Sequence, residues 1–213
     1  MTATAAAVDR EADRLTELDS AIGDADHGAN LQRGFAAVVA TLDTEDPAAP
    51  GAVLMLAGRQ LISTVGGASG PLYGTLLRRA GKALGDSPEV TAGQLAEALR
   101  GGVAAVARLG GAKAGDKTML DALEPAVEAM GAAADGQEGG SPAGEPPAES
   151  AAGSPGAAFA AAARAAEEGA RATVPMQARK GRASYLGERS VGHQDPGATS
   201  SALLIAALAE AAR

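Results

Sequence analysis

Three aspartates and a histidine lie close together in the segment LDSAIGDADHGANLQRGF, residues 18–35. Asp19, Asp24 and Asp26 are near neighbours in the chain, and His27 follows them directly. Carboxylates this close repel one another unless a positive group lies between them. Among hard cations, Mg²⁺ suits a set of carboxylates best when phosphate oxygens and water complete its coordination. The spacing therefore predicts a divalent metal site formed by the three aspartates.

The same residues have other interpretations. A carboxylate can stabilise the N-terminus of a helix that starts near Asn30, which would explain one aspartate better than three. An EF-hand calcium loop that starts at Asp24 would have its glycine one place after Gly28 and a glutamate where Phe35 stands. His27 has four open roles: a base, a metal ligand, a phosphoryl acceptor or a hydrogen-bond donor to phosphate. The last role fits a position at a helix start.

Two glycine-containing segments are weaker signals. In GGASGP, residues 66–71, the glycines suit close approach of the backbone to a ligand, and Ser69 adds a hydroxyl. This segment lacks the Gly-Lys-Ser/Thr ending of a P-loop, and a tight turn between helices explains it equally well. In GGAKAGDKT, residues 110–118, the simplest alternative to a ligand-binding role is that Asp116 caps the following helix.

The segment QARKGRASYLGERSVGHQDPGAT, residues 177–199, is long for a connection in a compact domain, which is typical of functional or disordered loops. The simplest alternative to a functional loop is a series of charged side chains exposed to solvent. The glycines, the tyrosine and the Pro-Gly turn favour an ordered loop instead. We refer to residues 22–30 as the acidic loop, 66–71 as the glycine loop, 110–118 as the Asp116 loop and 177–199 as the basic loop. The cations of the basic loop are Arg179, Lys180, Arg182 and Arg189.

The remaining pattern is helical. Apolar residues recur at helical spacing, aromatic residues make up only 2% of the chain, and alanine, a strong helix former, is abundant. We therefore predict an all-α fold in a single domain over residues 1–213. The eight predicted helices span about 4–18, 30–43, 51–65, 71–84, 92–109, 117–130, 156–173 and 199–212.

Along the predicted chain, the four named loops alternate with connections that contain no candidate functional residues. They follow the first, third, fifth and seventh helices. If the helices run up and down in an antiparallel barrel or bundle, all four loops meet at one end. The Gly-, Pro- and Ser-rich stretch at about 135–156 predicts a flexible insertion at the opposite end. The end where the loops meet would combine a divalent metal, close approach of the backbone and guanidinium groups. These are the parts of a nucleotide-phosphate site, where catalysis works by positioning and charge neutralisation.

The overall composition argues against several functions. A net charge of −8 disfavours general binding to nucleic acid. The absence of cysteine excludes disulfides, thiolate metal sites and cysteine nucleophiles. The first residues lack the features of a secretion signal, and no apolar stretch suits a membrane span. We expect a cytoplasmic protein that binds neither nucleic acid nor membrane.

The motifs GDADHGAN, GGASGPLYGT, GDKTM and ARKGRASYLGERSVGHQDPGATS closely resemble those of the L subunit, the nucleotide-binding subunit, of bacterial dihydroxyacetone kinase. The resemblance runs from about Leu18 to the C-terminus, interrupted at residues 135–156, and its last motif is the most specific. It implies a barrel of eight amphipathic, antiparallel helices with ADP or ATP bound at one end. By the same resemblance, Asp19, Asp24 and Asp26 would hold two Mg²⁺ ions that bridge to the phosphates.

The resemblance also implies the residues that contact the nucleotide. These would be His27, Gly28, Ala29, Asn30, Ala68, Ser69, Gly110, Met119, Arg182, Asp195, Pro196 and Gly197. Arg182 is the expected catalytic residue, because a guanidinium group near the phosphates stabilises the charge that develops during transfer.

In the type that depends on the phosphotransferase system, the nucleotide stays bound as a phosphoryl carrier. The phosphoryl group comes from a phosphohistidine on an M-type protein and goes to dihydroxyacetone held on a K subunit. The resemblance implies this role here. Two alternatives stay open: an L-type domain of an ATP-dependent dihydroxyacetone kinase, and a non-enzymatic, nucleotide-sensing partner of a transcription regulator.

Overall fold

The computed structural model describes residues 1–138 and 155–212. These ranges contain α1 (Thr2–Ile22), α2 (His27–Glu45), α3 (Pro50–Thr64), α4 (Ser69–Leu84), α5 (Ala92–Gly110), α6 (Leu120–Glu138), α7 (Pro155–Ala172) and α8 (Pro196–Ala211). A 3₁₀ segment, Arg182–Ser190, lies in the basic loop. The two ranges contain no strand, so the prediction of an all-α fold with eight helices is confirmed. No helix within them has the length and apolar character that a membrane crossing needs.

The eight helices form a closed ring. Each helix packs against the next one in the chain, and α8 packs against α1 to close the circle. The first half of α2 runs back along α1, because the Gln32 side chain donates to the Asp9 carboxylate at 2.7 Å. The start of α3 lies beside the end of α4, where Gly51 closely approaches the backbone of Gly85. Neighbouring helices are therefore antiparallel at these positions, as the alternation of loops predicted.

The ring encloses one main apolar core to which all eight helices contribute. Phe35 and Leu31 of α2 are among its largest fully buried side chains. The buried face of α7 consists only of alanines at helical spacing: Ala158, Ala162, Ala166 and Ala170. Small side chains on this face let α7 approach its neighbours α6 and α8 closely, so the ring closes without bulky residues on this helix.

The structure corrects three predicted helix starts. α2 begins at His27 rather than at residue 30, α4 at Ser69 rather than 71, and α8 at Pro196 rather than 199. Asp195 caps α8, because its carboxylate accepts the N–H of Ala198 at 2.7 Å. The glycines and the proline in these motifs resemble turn signals, and for that reason the sequence pattern places them in loops. In the folded chain, the glycines and prolines that follow these helix starts belong to first helical turns: Gly28, Gly70, Pro71, Pro196 and Gly197.

Other helix boundaries also differ from the prediction, most of all the end of α6, which lies at Glu138 rather than at residue 130. α1 extends to Ile22 rather than to residue 18, so Asp19 lies in its last turn. α6 begins at Leu120 rather than at residue 117. Asp116 is not its N-cap, because the Asp116 carboxylate accepts the N–H of Lys113, at 3.0 Å, within the Asp116 loop.

The predicted insertion at about 135–156 falls between α6 and α7. Residues 135–138 belong to the end of α6, and residues 155–156 begin α7. The rest of the predicted insertion lies outside the described residues.

Close packing of α3 against α4 leads to a prediction about stability. A Cβ atom added at Gly81 would lie 2.5 Å from the carbonyl oxygen of Gly51 and 2.9 Å from the backbone nitrogen of Met55. Because backbone atoms cannot move aside easily, we expect Gly81→Ala to lower the free energy of unfolding by about 1–3 kcal/mol. Urea denaturation followed by circular dichroism measures this change.

Gly101 of α5 provides the matched control, since a Cβ atom there would meet nothing within 4 Å. Gly101→Ala should raise the free energy of unfolding by about 0.5–1 kcal/mol, because alanine is the better helix former. Equal stabilities for the two variants would contradict the close approach of α3 and α4.

Candidate functional site

A cavity of about 380 Å³ lies at the end of the ring where α1, α3, α5 and α7 lead into the next helix. Residues of the acidic loop, the glycine loop, the Asp116 loop and the basic loop all line it. The four loops therefore meet at one end, as their alternation predicted. The cavity volume falls within the range of about 300–1,000 Å³ that is typical of small-ligand pockets.

The three aspartates of the predicted metal site come together at this cavity. One ligand oxygen from each of Asp19, Asp24 and Asp26 lies within 4.8 Å of the others. Asp19 is buried, and its Oδ2 atom accepts the N–H of Asp26 at 3.0 Å and the N–H of His27 at 3.3 Å. Asp24 and Asp26 are exposed. One anchored and two exposed carboxylates form an open set of oxygen donors, which suits a hard cation that keeps several water ligands.

Arg182 lies directly beside this acidic cluster. Its guanidinium group pairs with the Asp24 carboxylate at 3.0 Å. The two side chains are 65% and 38% exposed, so water screens the pair and it contributes little to stability. Its main effect is positional, because it holds a cation from the basic loop next to the carboxylates from the acidic loop.

His27 begins α2 and is held by hydrogen bonds at both ring nitrogens. Its Nδ1 atom lies 3.1 Å from Ser69 Oγ, and its Nε2 atom lies 2.8 Å from Ser200 Oγ. Burial lowers the pKa of His27, although the negative charges of Asp19 and Asp26 act in the opposite direction. The imidazole therefore joins the first turns of α2, α4 and α8 as a neutral ring.

Ser200 connects this ring to other groups of α8. Its hydroxyl oxygen lies 3.1 Å from the carbonyl oxygen of Gly197 as well as 2.8 Å from His27 Nε2. The Tyr73 hydroxyl lies 2.7 Å from Ser200 Oγ and 2.9 Å from Ser201 Oγ, and burial raises the pKa of Tyr73 to about 12. A neutral hydrogen-bond network thus links α4 and α8 behind His27.

Four helix N-termini meet at the cavity. His27 of α2, Ser69 of α4, Leu120 of α6 and Pro196 of α8 all line it, and each is the first residue of its helix. The N–H groups of a first helical turn have no acceptor within the helix and carry partial positive charge. This arrangement favours an anionic group such as a phosphate inside the cavity.

Two buried charged side chains also line the cavity wall. Asp195 is 8% exposed and Lys117 is 1% exposed. The pKa of Asp195 is raised to about 7, mainly by burial and further by the charges of Asp121 and Asp19. The Ala198 N–H and the Lys117 ammonium act in the opposite direction. Burial lowers the pKa of Lys117.

Most of the site residues inferred from the sequence line this one cavity. They are Asp19, Asp24, Asp26, His27, Ala68, Ser69, Gly110, Met119, Arg182, Asp195, Pro196 and Gly197.

Three inferred nucleotide contacts do not line the cavity. Gly28 is packed between α1 and α2, where an added Cβ would overlap the carbonyl oxygen of Ala12. Ala29 is exposed, and Asn30 is buried, with its side-chain oxygen accepting from Arg33 at 2.6 Å. Their nearness to His27 in the chain therefore does not place their side chains at the cavity.

Four residues of this region were not predicted from the sequence: Tyr73, Lys117, Ser200 and Ser201. Tyr73, Lys117 and Ser200 belong to the motifs GGASGPLYGT, GDKTM and ARKGRASYLGERSVGHQDPGATS, so membership of a motif was the available signal. The two serines meet Tyr73 across 127 and 128 residues of chain, a separation that local patterns do not reveal.

Comparison with known proteins identifies relatives over nearly the whole chain. Residues 21–210 match the model of the DAK2 domain family. The chain is 44% identical to the PEP-dependent dihydroxyacetone kinase, ADP-binding subunit DhaL, of Escherichia coli K12, over 95% of this chain and 90% of that protein. It is 38% identical to a protein described as L-erythrulose 1-kinase from Mycolicibacterium smegmatis, over 95% of this chain but only 33% of that protein.

A solved structure is also similar. The dihydroxyacetone kinase of C. freundii in complex with AMP-PNP and Mg²⁺ superposes with a TM-score of 0.71 at 26% sequence identity. The match covers 98% of this chain and 32% of the solved one, so this chain spans about a third of that protein. Together with the match over residues 21–210, these similarities establish that the chain belongs to the DAK2 domain family.

Proposed function

We propose that this chain is the nucleotide-binding, phosphoryl-carrying L-type subunit of a dihydroxyacetone kinase, acting as one domain. The observation that carries this proposal is the meeting of three carboxylates, one arginine and four helix N-termini at a single cavity. Bound ADP would accept a phosphoryl group, bound ATP would supply it, and Mg²⁺ ions would neutralise the charge on the phosphates. The residues of the chain would bind, orient and neutralise that group.

The acidic cluster fits magnesium. Asp24 and Asp26 are exposed and have oxygens available, whereas one oxygen of Asp19 is already used by two backbone N–H groups. Mg²⁺ is commonly held by one or two carboxylates together with phosphate oxygens and water. We propose two ions, because three carboxylates and the phosphates of a nucleotide carry more negative charge than one divalent cation neutralises.

The rest of the cavity fits a nucleotide. Leu72, Val106, Leu109 and Met119 give the wall apolar surface suited to a base. The first turns of α2, α4 and α8 provide backbone N–H groups suited to phosphates. The N–H groups of His27 and Ala198 are excluded, because they already bond to Asp19 and Asp195, and Pro196 has no N–H. We propose that the phosphates lie between these helix starts and the acidic cluster. Asn30, Gly28 and Ala29 remain proposed contacts through their backbone or through their position beside His27.

The charged and polar residues have distinct proposed roles. Arg182 neutralises negative charge on the transferring phosphoryl group, which is the main form of catalysis in phosphoryl transfer. His27 orients the Ser69 hydroxyl through the hydrogen bond between its Nδ1 atom and Ser69 Oγ. The acceptor alcohol and any base that activates it would come from a partner protein.

We propose that these partners are a K subunit that carries dihydroxyacetone and an M-type phosphohistidine protein that supplies the phosphoryl group. Support comes from the relatives described as ADP-binding subunits of PEP-dependent kinases, including one from Listeria innocua that is 38% identical over 91% of this chain and 84% of that protein. The direct test is reconstitution with both partners, which should form dihydroxyacetone phosphate. No product with either donor, M-type protein or ATP, would contradict the proposal.

An ATP-dependent kinase domain is the second candidate function. The 38% identity to part of a longer L-erythrulose 1-kinase favours it. The two candidates differ in how long the nucleotide stays bound. Native mass spectrometry of the purified protein distinguishes them: retained ADP and Mg²⁺ support the carrier, whereas an empty protein that turns over added ATP with a K subunit supports the kinase domain.

The metal proposal predicts the effect of removing two carboxylates. We expect Asp24→Asn together with Asp26→Asn to abolish tight, Mg²⁺-dependent nucleotide binding, because asparagine keeps the shape but not the charge. Isothermal titration calorimetry with ADP and Mg²⁺ measures the binding, and circular dichroism should report unchanged helical content. Asp43→Asn with Asp46→Asn, at the exposed far end of α2, is the matched control. Near-native affinity in the first variant would contradict the metal assignment.

The arginine proposal predicts a kinetic effect. We expect Arg182→Ala to slow phosphoryl transfer by about tenfold to a hundredfold, because it removes a cation that stabilises developing charge. Arg189→Ala is the control, since Arg189 is exposed on the same loop and does not line the cavity. Single-turnover transfer between the charged chain and a K subunit measures both rates. Similar rates for the two variants would leave Arg182 without a catalytic role.

The raised pKa of Asp195 predicts a pH dependence of stability. An acid whose pKa rises from 3.8 to about 7 on folding favours the folded state at low pH. The contribution is fully present below pH 3.8 and is lost as the pH rises towards about 7. The metal-free protein should therefore lose free energy of unfolding over this window relative to Asp195→Asn, by at most about 4 kcal/mol. Denaturant titrations at several pH values measure the difference, and a constant difference would show that Asp195 titrates normally.

A further inference from the structure

We propose that Lys117 is a positioning residue for phosphoryl transfer, which clamps residues 176–190 so that Arg182 stays beside the acidic cluster. This inference rests on the proposed role of Arg182. Lys117 lies in the Asp116 loop and Arg182 in the basic loop, so the effect passes from one loop to the other.

The clamp consists of two hydrogen bonds from one ammonium group. Lys117 Nζ donates to the carbonyl oxygen of Met176 at 3.0 Å and to that of Ser190 at 2.6 Å. These carbonyls belong to the first and last residues of the segment 176–190. A compact surface segment of this length whose ends are held together is an Ω-loop. Lys117 therefore fixes the two ends of the loop that carries Arg182.

Two further bonds close the same loop. Ser190 Oγ accepts the N–H of Ala178 at 2.9 Å, and the backbone carbonyl of Asp116 accepts the N–H of Arg179 at 3.0 Å. The second bond comes from the residue directly before Lys117. The Asp116 loop thus holds the base of the Ω-loop with both its backbone and its lysine side chain.

The Ω-loop has little apolar anchorage of its own. A small cluster of Ala178, Ala183 and Leu186 packs against Ile22 at the end of α1. Tyr185 is 89% exposed and adds no burial. Because few apolar contacts hold the loop, the polar clamp at its ends has a large share in keeping it ordered.

The position of Lys117 is costly, which argues that its ammonium group has a specific task. The side chain is 1% exposed, and its backbone φ of +62° lies in the left-handed region that non-glycine residues seldom adopt. Within residues 1–138 and 155–212, no carboxylate oxygen lies within 4.0 Å of its ammonium group, although the charge of Asp195 acts on it from farther away. Its two hydrogen-bond acceptors are carbonyls, so the energy of those bonds goes into closing the loop.

From the clamped base, the loop extends to the cavity. Lys180, Gly181 and Arg182 line the cavity, and Arg182 pairs with Asp24 at 3.0 Å. Without the ammonium group, the carbonyls of Met176 and Ser190 lose their donor, and Arg182 can occupy a wider range of positions. The expected loss is therefore one of positioning in the transition state.

The first test uses Lys117→Met, which keeps the length of the side chain and removes the charge. We expect trypsin to cleave within residues 177–190 about tenfold faster or more in the apo variant, because the loop opens more often. Phosphoryl transfer should fall about tenfold to a hundredfold, whereas the Kd for ADP with Mg²⁺ should change by less than about threefold. Lys82→Met on α4 is the matched control and should leave all three measurements unchanged, because Lys82 is exposed at the far end of the ring.

The second test is a double-mutant cycle. If Lys117 acts through Arg182, Lys117→Met should slow transfer by less than about threefold in the Arg182→Ala background. A purely structural role would lower the rate by the same factor in both backgrounds and would overturn the proposal. Unchanged cleavage by trypsin in Lys117→Met would overturn it as well.

A variant with a milder change covers the case in which Lys117→Met does not fold, as judged by circular dichroism. Ser190→Ala removes the hydroxyl that accepts the Ala178 N–H and donates to the carbonyl of Gly187. It should accelerate tryptic cleavage and slow transfer only when Arg182 is present, and wild-type behaviour would overturn the proposal. If the wild-type chain transfers no phosphoryl group, the proposed function fails, and the positioning role that rests on it fails with it. The cleavage assay decides separately whether Lys117 holds the loop closed.

Discussion

The central constraint on this molecule is the repulsion between the carboxylates at one end of the ring. Asp19, Asp24 and Asp26 converge within a few ångströms, and only Asp19 is satisfied by backbone N–H groups. The other features of this end offset that negative charge: a guanidinium from the basic loop and the positive ends of four helices. The carboxylates can bind cations, and the guanidinium and the helix N-termini can bind an anion. A metal–phosphate complex requires both kinds of group.

The helical ring explains how residues far apart in the chain meet at this end. Antiparallel neighbours bring every second connection to the same side, and contact between α8 and α1 makes the circle complete. The neutral network of His27, Ser200 and Tyr73 then ties three helix starts together behind the charged groups. Binding groups are thus held by a rigid frame, whereas Arg182 reaches the cavity from a loop with few apolar contacts.

The sequence predicted the helices and the shared end of the loops because both follow from patterns of local periodicity and order. Three helices start at His27, Ser69 and Pro196, two or three residues before their predicted starts. Glycine and proline occur both in turns and in first helical turns, so the sequence pattern does not separate the two. The roles of Tyr73 and Lys117 depend on partners elsewhere in the chain, such as the carbonyl of Ser190, and no local pattern encodes a backbone acceptor. The near-neutral pKa of Asp195 depends on burial, which only the folded chain supplies.

Closure of the ring by α1 and α8 has a consequence for the chain's connectivity. α8 starts at the cavity and α1 ends there, so Thr2 and Ala211 both lie towards the opposite end of the ring, on adjacent helices. A short linker between them would therefore turn the chain into a covalent circle without crossing the binding end. Such a circle can be opened at any connection on that opposite side, for example between α2 and α3, with the four functional loops intact. The order of helices in space, rather than their order along the chain, is thus what the cavity requires.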